Sequence, residues 1–342
     1  MDPVFIWVAK LLQRSYGASQ PKKRAKVLVN PHSGKGSAEK WYHRDVEPLL
    51  KAAQCSIDMV KTKCQGDAVT ISENLEIEDY DMVVCCSGDG LAHEVFNGLG
   101  RRPDAKKALS KIAVVHVPCG SGNAMSCNLN GTNSSSLATL NIIKGIPTPL
   151  DLISITQGET RTLSFLSQSL GIVAEADLAT EHIRWMGELR FYYGFLVRLI
   201  NKATYPCDIA VKVAIEDKPS IKEHYRRELE NHEPASERRG YKHLIDDDAS
   251  ASSGSDPEGL PPLRYGTVND KLPEGWEMVP YDKLGNFYCG NVSYFFSSQN
   301  LDIDLTRWLS WLQMPTSFQQ LYLMMDTWIS SASTAIQAEF QP

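Results

Sequence analysis

The 342-residue chain contains no run of about 18 apolar residues, so nothing in it reads as a membrane-spanning helix. Its eight cysteines form no CxxC pair, and no secretory signal stands at the N-terminus. Cys55, Cys64, Cys85, Cys86, Cys119, Cys127, Cys207 and Cys289 therefore read as reduced thiols of a cytoplasmic protein. There is no excess of positive charge. A net charge of −6 argues against a nucleic-acid partner. There is no internal repeat. What is present is ordinary: 42 % hydrophobic and 22 % charged residues exclude a disordered or collagen-like chain, and the length allows two lobes.

From Lys26 to Gly145, strands and helices alternate. Lys26–Asn30 (KVLVN), Met82–Ser87 (MVVCCS) and Ile112–Val117 (IAVVHV) are short apolar runs that end at glycine loops, as buried strands do. Ile57–Lys61 alternates like a half-buried strand. Ser37 to Ala53 carries apolar or aromatic residues at 42, 46, 49, 50 and 53, which predicts a helix. Gly90 to Leu99 predicts another, with Gly98 and Gly100 as its stop. The pattern is the βαβ signature of a parallel sheet with helices on both faces. After Asp151 the character changes. Asp151–Thr156 and Thr162–Leu170 read as adjacent strands around a turn at Gly158, Asp177 to Lys202 as helix, and Asp208–Ile215 and Gly285–Gly290 as strands. The fold class is α/β, with a parallel-sheet lobe and a second, mainly antiparallel β lobe.

Glycine loops follow the three apolar strands. They are Asn30-Pro31-His32-Ser33-Gly34-Lys35-Gly36, Ser87-Gly88-Asp89-Gly90 and Cys119-Gly120-Ser121-Gly122-Asn123. The first is not a P-loop, because position 36 is Gly where Ser or Thr is needed. Glycine lets backbone amides approach an anion, and loops at the C-terminal ends of parallel strands share one crevice. Three such loops predict a site for a phosphate-rich nucleotide. Asp89, set between two glycines, can take a proton from a hydroxyl, help hold Mg²⁺ or cap a helix, and spacing alone leaves these open. His116 reads as a core histidine. Arg184 and Arg190, six apart beside Glu181 and Glu188, read first as a solvated helix face. Near the N-terminus, apolar Val4 to Leu12 precedes Lys22, Lys23, Arg24 and Lys26. Apolar side chains beside a basic patch suit an acidic membrane surface, and a leader with solvated lysines is the plainer reading.

NPHSGKG, SGDGLAHEVFNGL and PCGSGNAMS, in this order and separation, resemble the diacylglycerol kinase catalytic superfamily, most closely its sphingosine kinase branch, the long-chain-base kinases. SQSLGIVAEADLATEHIRWMGELR (167–190) is similar to that branch's lipid-recognition and arginine segment. LPEGWEMVPYDKLGNFY (272–288) is similar to its later strand region, and the wording of PCGSGNAMS and LDLISITQG is that of a fungal member.

The resemblance implies ATP and Mg²⁺, with a sphingoid base as the lipid substrate. Asn30, Pro31, Ser33, Gly34, Lys35, Gly36, Ser87, Gly88, Gly90, Gly120, Ser121, Gly122 and Asn123 would cradle the nucleotide. Thr62 and Glu94 would contact it, and Arg184 and Arg190 would hold its phosphates. Asp89 would be the catalytic base. Asp177 and Ser167 would bind the polar head, the Asp177 carboxylate pairing with the ammonium. No side chain is assigned to a resident metal.

Two departures accompany the resemblance. Glu175 stands where relatives commonly carry Asp. After Asn291 the likeness ends, and the Asp-Gly-Glu loop expected of the family does not follow, as in a truncated or frame-altered product. Trp308, Trp311, Met324, Met325 and Trp328 there suit an apolar helix better than strands. The expected organisation is a leader at 1–25, a nucleotide-binding lobe at 26–150 and an incomplete lipid-binding lobe at 151–215 and 263–300. A disordered insertion at 216–262 and an atypical tail at 301–342 complete it. The alternatives are a kinase for another lipid alcohol, such as diacylglycerol or ceramide, and a non-catalytic homologue.

Overall fold

The computed structural model describes residues 3–187, 189–231, 258–263, 270–291 and 339–341. Helix α1 (Pro3–Tyr16) leads into a four-stranded sheet of β1 (Arg24–Val29), β2 (Ser56–Lys61), β3 (Met82–Ser87) and β4 (Ala113–Pro118). The order is β2-β1-β3-β4, and every pairing is parallel. The chain turns from β1 to one side and then, through β2, crosses to the other. The loops after β1 and β3 thus flank the point where strand order reverses, which is where open α/β sheets bind ligands.

Period-two alternation builds two cores from one sheet. Val83 and Cys85 of β3 face a core with α4 (Asp67–Glu73) and α5 (Asp89–Arg101). Met82, Val84 and Cys86 face the opposite core, which holds α2 (Ala38–Trp41), a π-helical turn at Tyr42–Val46, α3 (Glu47–Ala52) and α8 (Ser135–Lys144). The adjacent cysteines are thus packing residues on opposite faces. Between these elements lie α6 (Ala105–Lys111) and α7 (Ala124–Asn130).

Several boundaries differ from expectation, each for a physical reason. α5 runs through Gly98 and Gly100 to Arg101. Gly98 serves packing: a Cβ there would lie 2.4 Å from the Val69 carbonyl oxygen of α4. The expected basic patch is largely consumed by the fold. Lys23 is buried and donates to the Ile142 and Ile143 carbonyls at the end of α8, Arg24 pairs with Asp81 at 2.8 Å, and Lys26 pairs with Asp58 at 2.8 Å.

In the second lobe, β5 (Ile153–Gln157) and β6 (Thr160–Ser164) form a hairpin whose Gly158 takes a φ of +57°. The expected single strand 162–170 breaks. Its second part, β7 (Ser167–Gly171), leaves β6 and pairs antiparallel with β10 (Asn286–Gly290). Phe165, at the break, is buried against Phe96 of α5 with ring centroids 5.4 Å apart. Asn97 of α5 donates to the Leu163 carbonyl and accepts from the Leu163 amide, tying β6 to the first lobe. The expected long helix is α9 (Ile172–Leu178), a 3-10 turn at Glu181–Met186 and α10 (Leu189–Ile200). β8 (Cys207–Val211) pairs with β9 (Glu277–Tyr281) and, from within the tail, with β11 (Glu339–Gln341).

The expected insertion is not structureless where it is described. α11 (Lys218–Asn231) starts at Asp217, whose carboxylate accepts the Ser220 amide at 2.8 Å, with Pro219 in the first turn. In the separate described stretch 258–263, the Glu258 carbonyl accepts the Lys106 amide and the Pro261 carbonyl accepts from Arg161. Residues 232–257, and the tryptophans and methionines expected as a helix in the tail, lie outside the described residues.

Candidate active site

The three glycine loops converge. Ser33 is buried, and its Oγ accepts from the Gly88 amide and from Ser87 Oγ, each at 3.1 Å. Gly34 has a φ of +57°, and a Cβ there would lie 3.2 Å from the Cys119 carbonyl oxygen. Gly88 and Gly120 meet backbone to backbone, and a Cβ on Gly120 would stand 2.4 Å from Gly88 Cα. Glycine here is a packing requirement between loops as well as a source of free amides. Asn30 accepts the His32 amide and closes the first loop, which carries Pro31, an exposed Lys35 and Gly36 with a φ of +74°. Asn123 exchanges hydrogen bonds with both backbone groups of Gly120 and reaches Asn133, bracing the third loop. Among the described residues, the amides of Gly34, Lys35, Ser121 and Gly122 find no acceptor.

Asp89 sits where the loops cross. Its own amide donates to the Gly122 carbonyl. Its two carboxylate oxygens accept the amides of Ala124 and Met125 at 2.9 and 2.8 Å. It therefore caps α7, a helix 35 residues away, and not α5, in which it is the first residue and Gly90 the second. His116 lies behind it. That histidine is buried, with Nε2 2.9 Å from the Ser87 carbonyl oxygen and Nδ1 3.6 Å from Asp89 Oδ1. A carbonyl only accepts, so Nε2 carries the proton and Nδ1 presents a lone pair. Burial holds the His116 pKa below its ordinary value, while the Asp89 charge opposes that shift. Sequence reasoning gives His116 no place at the site. Its position on a strand that ends in a glycine loop is the available signal.

Thr62 is buried at the end of β2, its amide on the Val29 carbonyl. Glu94 accepts the Ala68 amide at the start of α4, beyond the Gly66 turn. Both belong to the loop end of the sheet or the helix pair beside it.

The second-lobe residues form a separate cluster. Arg190 is buried. It donates to Asp177 Oδ1 at 2.6 Å, to the Asp177 carbonyl at 3.1 Å and to Thr180 Oγ1 at 3.2 Å, and it stacks on Phe191 at 4.1 Å. Arg190, expected at the nucleotide phosphates, here donates to the carboxylate expected to read the lipid head. Asp177 itself is exposed, and Ser167 is hydrogen-bonded to Tyr288, whose hydroxyl burial pushes up to about 12. Glu175 accepts from Arg198 and Tyr205. The Tyr205 hydroxyl is the larger reason its carboxyl lies below the usual range. Arg184 falls in the 3-10 turn, and its side chain lies outside the described residues. Among the described residues, no hydrogen bond joins Asp177, Ser167 or Arg190 to the glycine loops.

Residues 24–155 match the model of the diacylglycerol kinase catalytic domain. The chain carries a diacylglycerol kinase catalytic domain. Around this domain the chain is 46 % identical over 222 residues to sphingoid long chain base kinase 5 of Saccharomyces cerevisiae, covering 64 % of this chain and 32 % of that protein. It is 39 % identical over 217 residues to sphingoid long chain base kinase 4 of Schizosaccharomyces pombe, covering 64 % and 47 %. The chain thus aligns with a third to a half of the length of these relatives. A crystal structure of a diacylglycerol kinase from Bacillus anthracis str. Sterne overlaps 56 % of this chain and 59 % of its own, at 20 % identity and a TM-score of 0.43.

Proposed function

We propose that the chain is an ATP-dependent lipid kinase. It moves the γ-phosphate of ATP to the primary hydroxyl of a sphingoid long-chain base and yields the 1-phosphate. The observation that carries this reading is the convergence of three glycine loops on Asp89, with four backbone amides left without acceptors beside it. Such amides suit phosphate oxygens. The names of the similar yeast proteins support the acceptor class.

In this mechanism the hydroxyl oxygen forms a bond to the γ-phosphorus. The bond between γ-phosphorus and bridging oxygen breaks, its electron pair leaving with ADP. The hydroxyl proton passes to Asp89, whose oxygens each keep a lone pair beyond the one given to α7. Mg²⁺ neutralises phosphate charge in such transfers. Among the described residues no three His, Cys, Asp or Glu side chains gather into a metal site. A Mg²⁺ held chiefly by nucleotide phosphates would need only one or two carboxylates, and the carboxylate at the loop crossing is Asp89. No step is routed through the ion.

The lipid head is assigned to Asp177, whose second oxygen takes the ammonium while Arg190 fixes the first, with Ser167 beside it. Arg184 keeps its phosphate role on resemblance alone. A long-chain amine partitions into membranes, so the reaction is proposed at a membrane surface. The eight cysteines, none of them in a disulfide, support a reducing, cytoplasmic setting. No helix among the described residues is long and apolar enough to cross a membrane.

The test uses this chain with γ-labelled ATP and either dihydrosphingosine or diacylglycerol in mixed micelles. Label in the sphingoid base, lost in Asp89→Asn, is expected. Label in diacylglycerol alone rejects the role of Asp177. No label in either, with ATP bound, rejects the kinase reading for this chain.

A further inference from the structure

Helix α1 breaks the rule that an amphipathic helix in a folded protein buries its apolar face. At 100° per residue, Trp7, Leu11, Val4, Val8, Leu12 and Phe5 fall in that order around one side of the helix. Lys10 and Arg14, four apart, border that side next to Trp7. The apolar side is bare: Phe5 is 73 % exposed and Trp7 68 %, and the other four are also exposed. The helix is nonetheless fixed to the body at its end. Tyr16 packs into the core, and Ser19 and Lys23 bind the last carbonyls of α8. The chain then enters β1 at its N-terminal end, so the glycine loops lie at the far end of the strands.

Charge identifies the occupant. No acidic residue occurs between Pro3 and Ala38, while Lys10 and Arg14 sit on the helix itself. A helix with Trp, Phe and Leu on one face and only cations at its border suits the boundary of an anionic bilayer, where tryptophan also favours the headgroup level. Fourteen residues span about 21 Å, too short to cross about 30 Å of hydrocarbon, so the helix lies in the surface.

We propose that α1 is an interfacial helix that holds the protein on anionic membranes through Trp7, Leu11 and Phe5, with Lys10 and Arg14 contacting lipid phosphates. Of the downstream basic residues, Lys23, Arg24 and Lys26 are already paired within the fold, which leaves Lys22 exposed beside the helix-borne Lys10 and Arg14. Attachment at the N-terminal end of the sheet leaves the loop end of the strands clear. The inference rests on the exposure and charge of α1 and is independent of the kinase reading.

The test is sedimentation of the full chain with vesicles of phosphatidylcholine alone or with about 30 % phosphatidylserine, a lipid dose on the order of that in an anionic cell membrane. The expected results are preferential binding to the anionic vesicles and a loss of about tenfold or more in partitioning for Trp7→Ser/Leu11→Ser. For Lys10→Glu/Arg14→Glu, a loss of similar size is expected on anionic vesicles alone. Brominated lipid should quench a fluorescence component that Trp7→Phe lacks. Because these side chains are exposed, every variant should melt with the parent. Unchanged partitioning in both double variants overturns the proposal. So does a parent dimer that Trp7→Ser/Leu11→Ser dissolves, since a second copy would then cover the face. Kinase activity on micellar sphingoid base separates the two readings. A chain that binds vesicles but phosphorylates nothing loses the kinase reading and keeps this one, and the converse result does the reverse.

Discussion

The two candidate sites are built from different materials. In the parallel-sheet lobe, the site is backbone: glycines in van der Waals contact, loop amides and one carboxylate that caps a neighbouring helix. In the second lobe it is side chains, an exposed Asp177 held by a buried Arg190 on adjoining helices. Where the same atoms carry fold and site, a substitution should damage both at once. Where an exposed side chain carries the site, function should change with little effect on stability.

Asp89→Asn is the strongest way to test that contrast. Loss of a general base costs about 100- to 10,000-fold in turnover. The amide also cannot accept from both Ala124 and Met125, so the cap on α7 is impaired at a cost of about 1 kcal/mol. Turnover and urea unfolding should fall together. A variant that loses turnover with an unmoved unfolding midpoint would separate chemistry from fold in this lobe.

Gly120→Ala comes next. Its Cβ would meet Gly88 backbone atoms at 2.4–2.5 Å, and backbone on both sides leaves no flexible group to yield. Overpacking of this kind costs about 1–3 kcal/mol. ATP binding should weaken along with the melting temperature. Ser121→Ala is the control, since Ser121 makes no described side-chain bond. Equal melting of Gly120→Ala and the parent would mean the loops have room to part.

Asp177→Asn should behave in the opposite way. It removes a charge-assisted hydrogen bond, worth about 1.5 kcal/mol, or about tenfold in KM for the sphingoid base. KM for ATP should change little. The unfolding midpoint should fall only modestly, because Asn Oδ1 can still accept from the buried Arg190, although the counter-charge is lost. A larger effect on ATP than on lipid would place Asp177 and Arg190 with the nucleotide after all.

The same contrast explains what is legible in the sequence. β3 is readable because MVVCCS is buried on both faces and needs no alternation. The glycine loops are readable because their residue types are unusual at strand ends. α4 escapes because DAVTISE is only seven residues and rich in β-branched and polar side chains, and its burial comes from contact with α5 across Gly98. The break between β6 and β7 escapes because Phe165 is apolar in either register, and only Phe96 and Asn97 on a distant helix decide the point. At the site, the residue types are legible and the pairings are not. Asp89 with α7, and Arg190 with Asp177, are joined by tertiary structure over 35 and 13 residues. Helix spacing cannot report such contacts. The Asp217-Lys218-Pro219-Ser220 start of α11 is a local signal hidden by polar composition.

The smallest effect concerns protons in the parallel-sheet lobe. His116 is buried and neutral, its pKa held below the ordinary value of about 6.5 chiefly by burial. Half-buried His93 is shifted the same way. As pH falls through about 6.5 the unfolded chain binds protons that the folded chain does not. Each such histidine therefore contributes stability that is present above about 6.5 and lost as pH falls toward its folded value, with a slope of at most about 1.4 kcal/mol per pH unit. His116→Gln keeps a donor for the Ser87 carbonyl and removes one of these protons. Urea unfolding at about pH 7.5, 6.5 and 5.5 should show the gap between parent and variant narrowing as pH falls. Asp89→Asn should steepen the parent's acid loss, because the carboxylate 3.6 Å from Nδ1 is what offsets burial. A gap that stays constant with pH would mean that His116 titrates alike in the folded and unfolded chain, and that the space behind Asp89 is open to water.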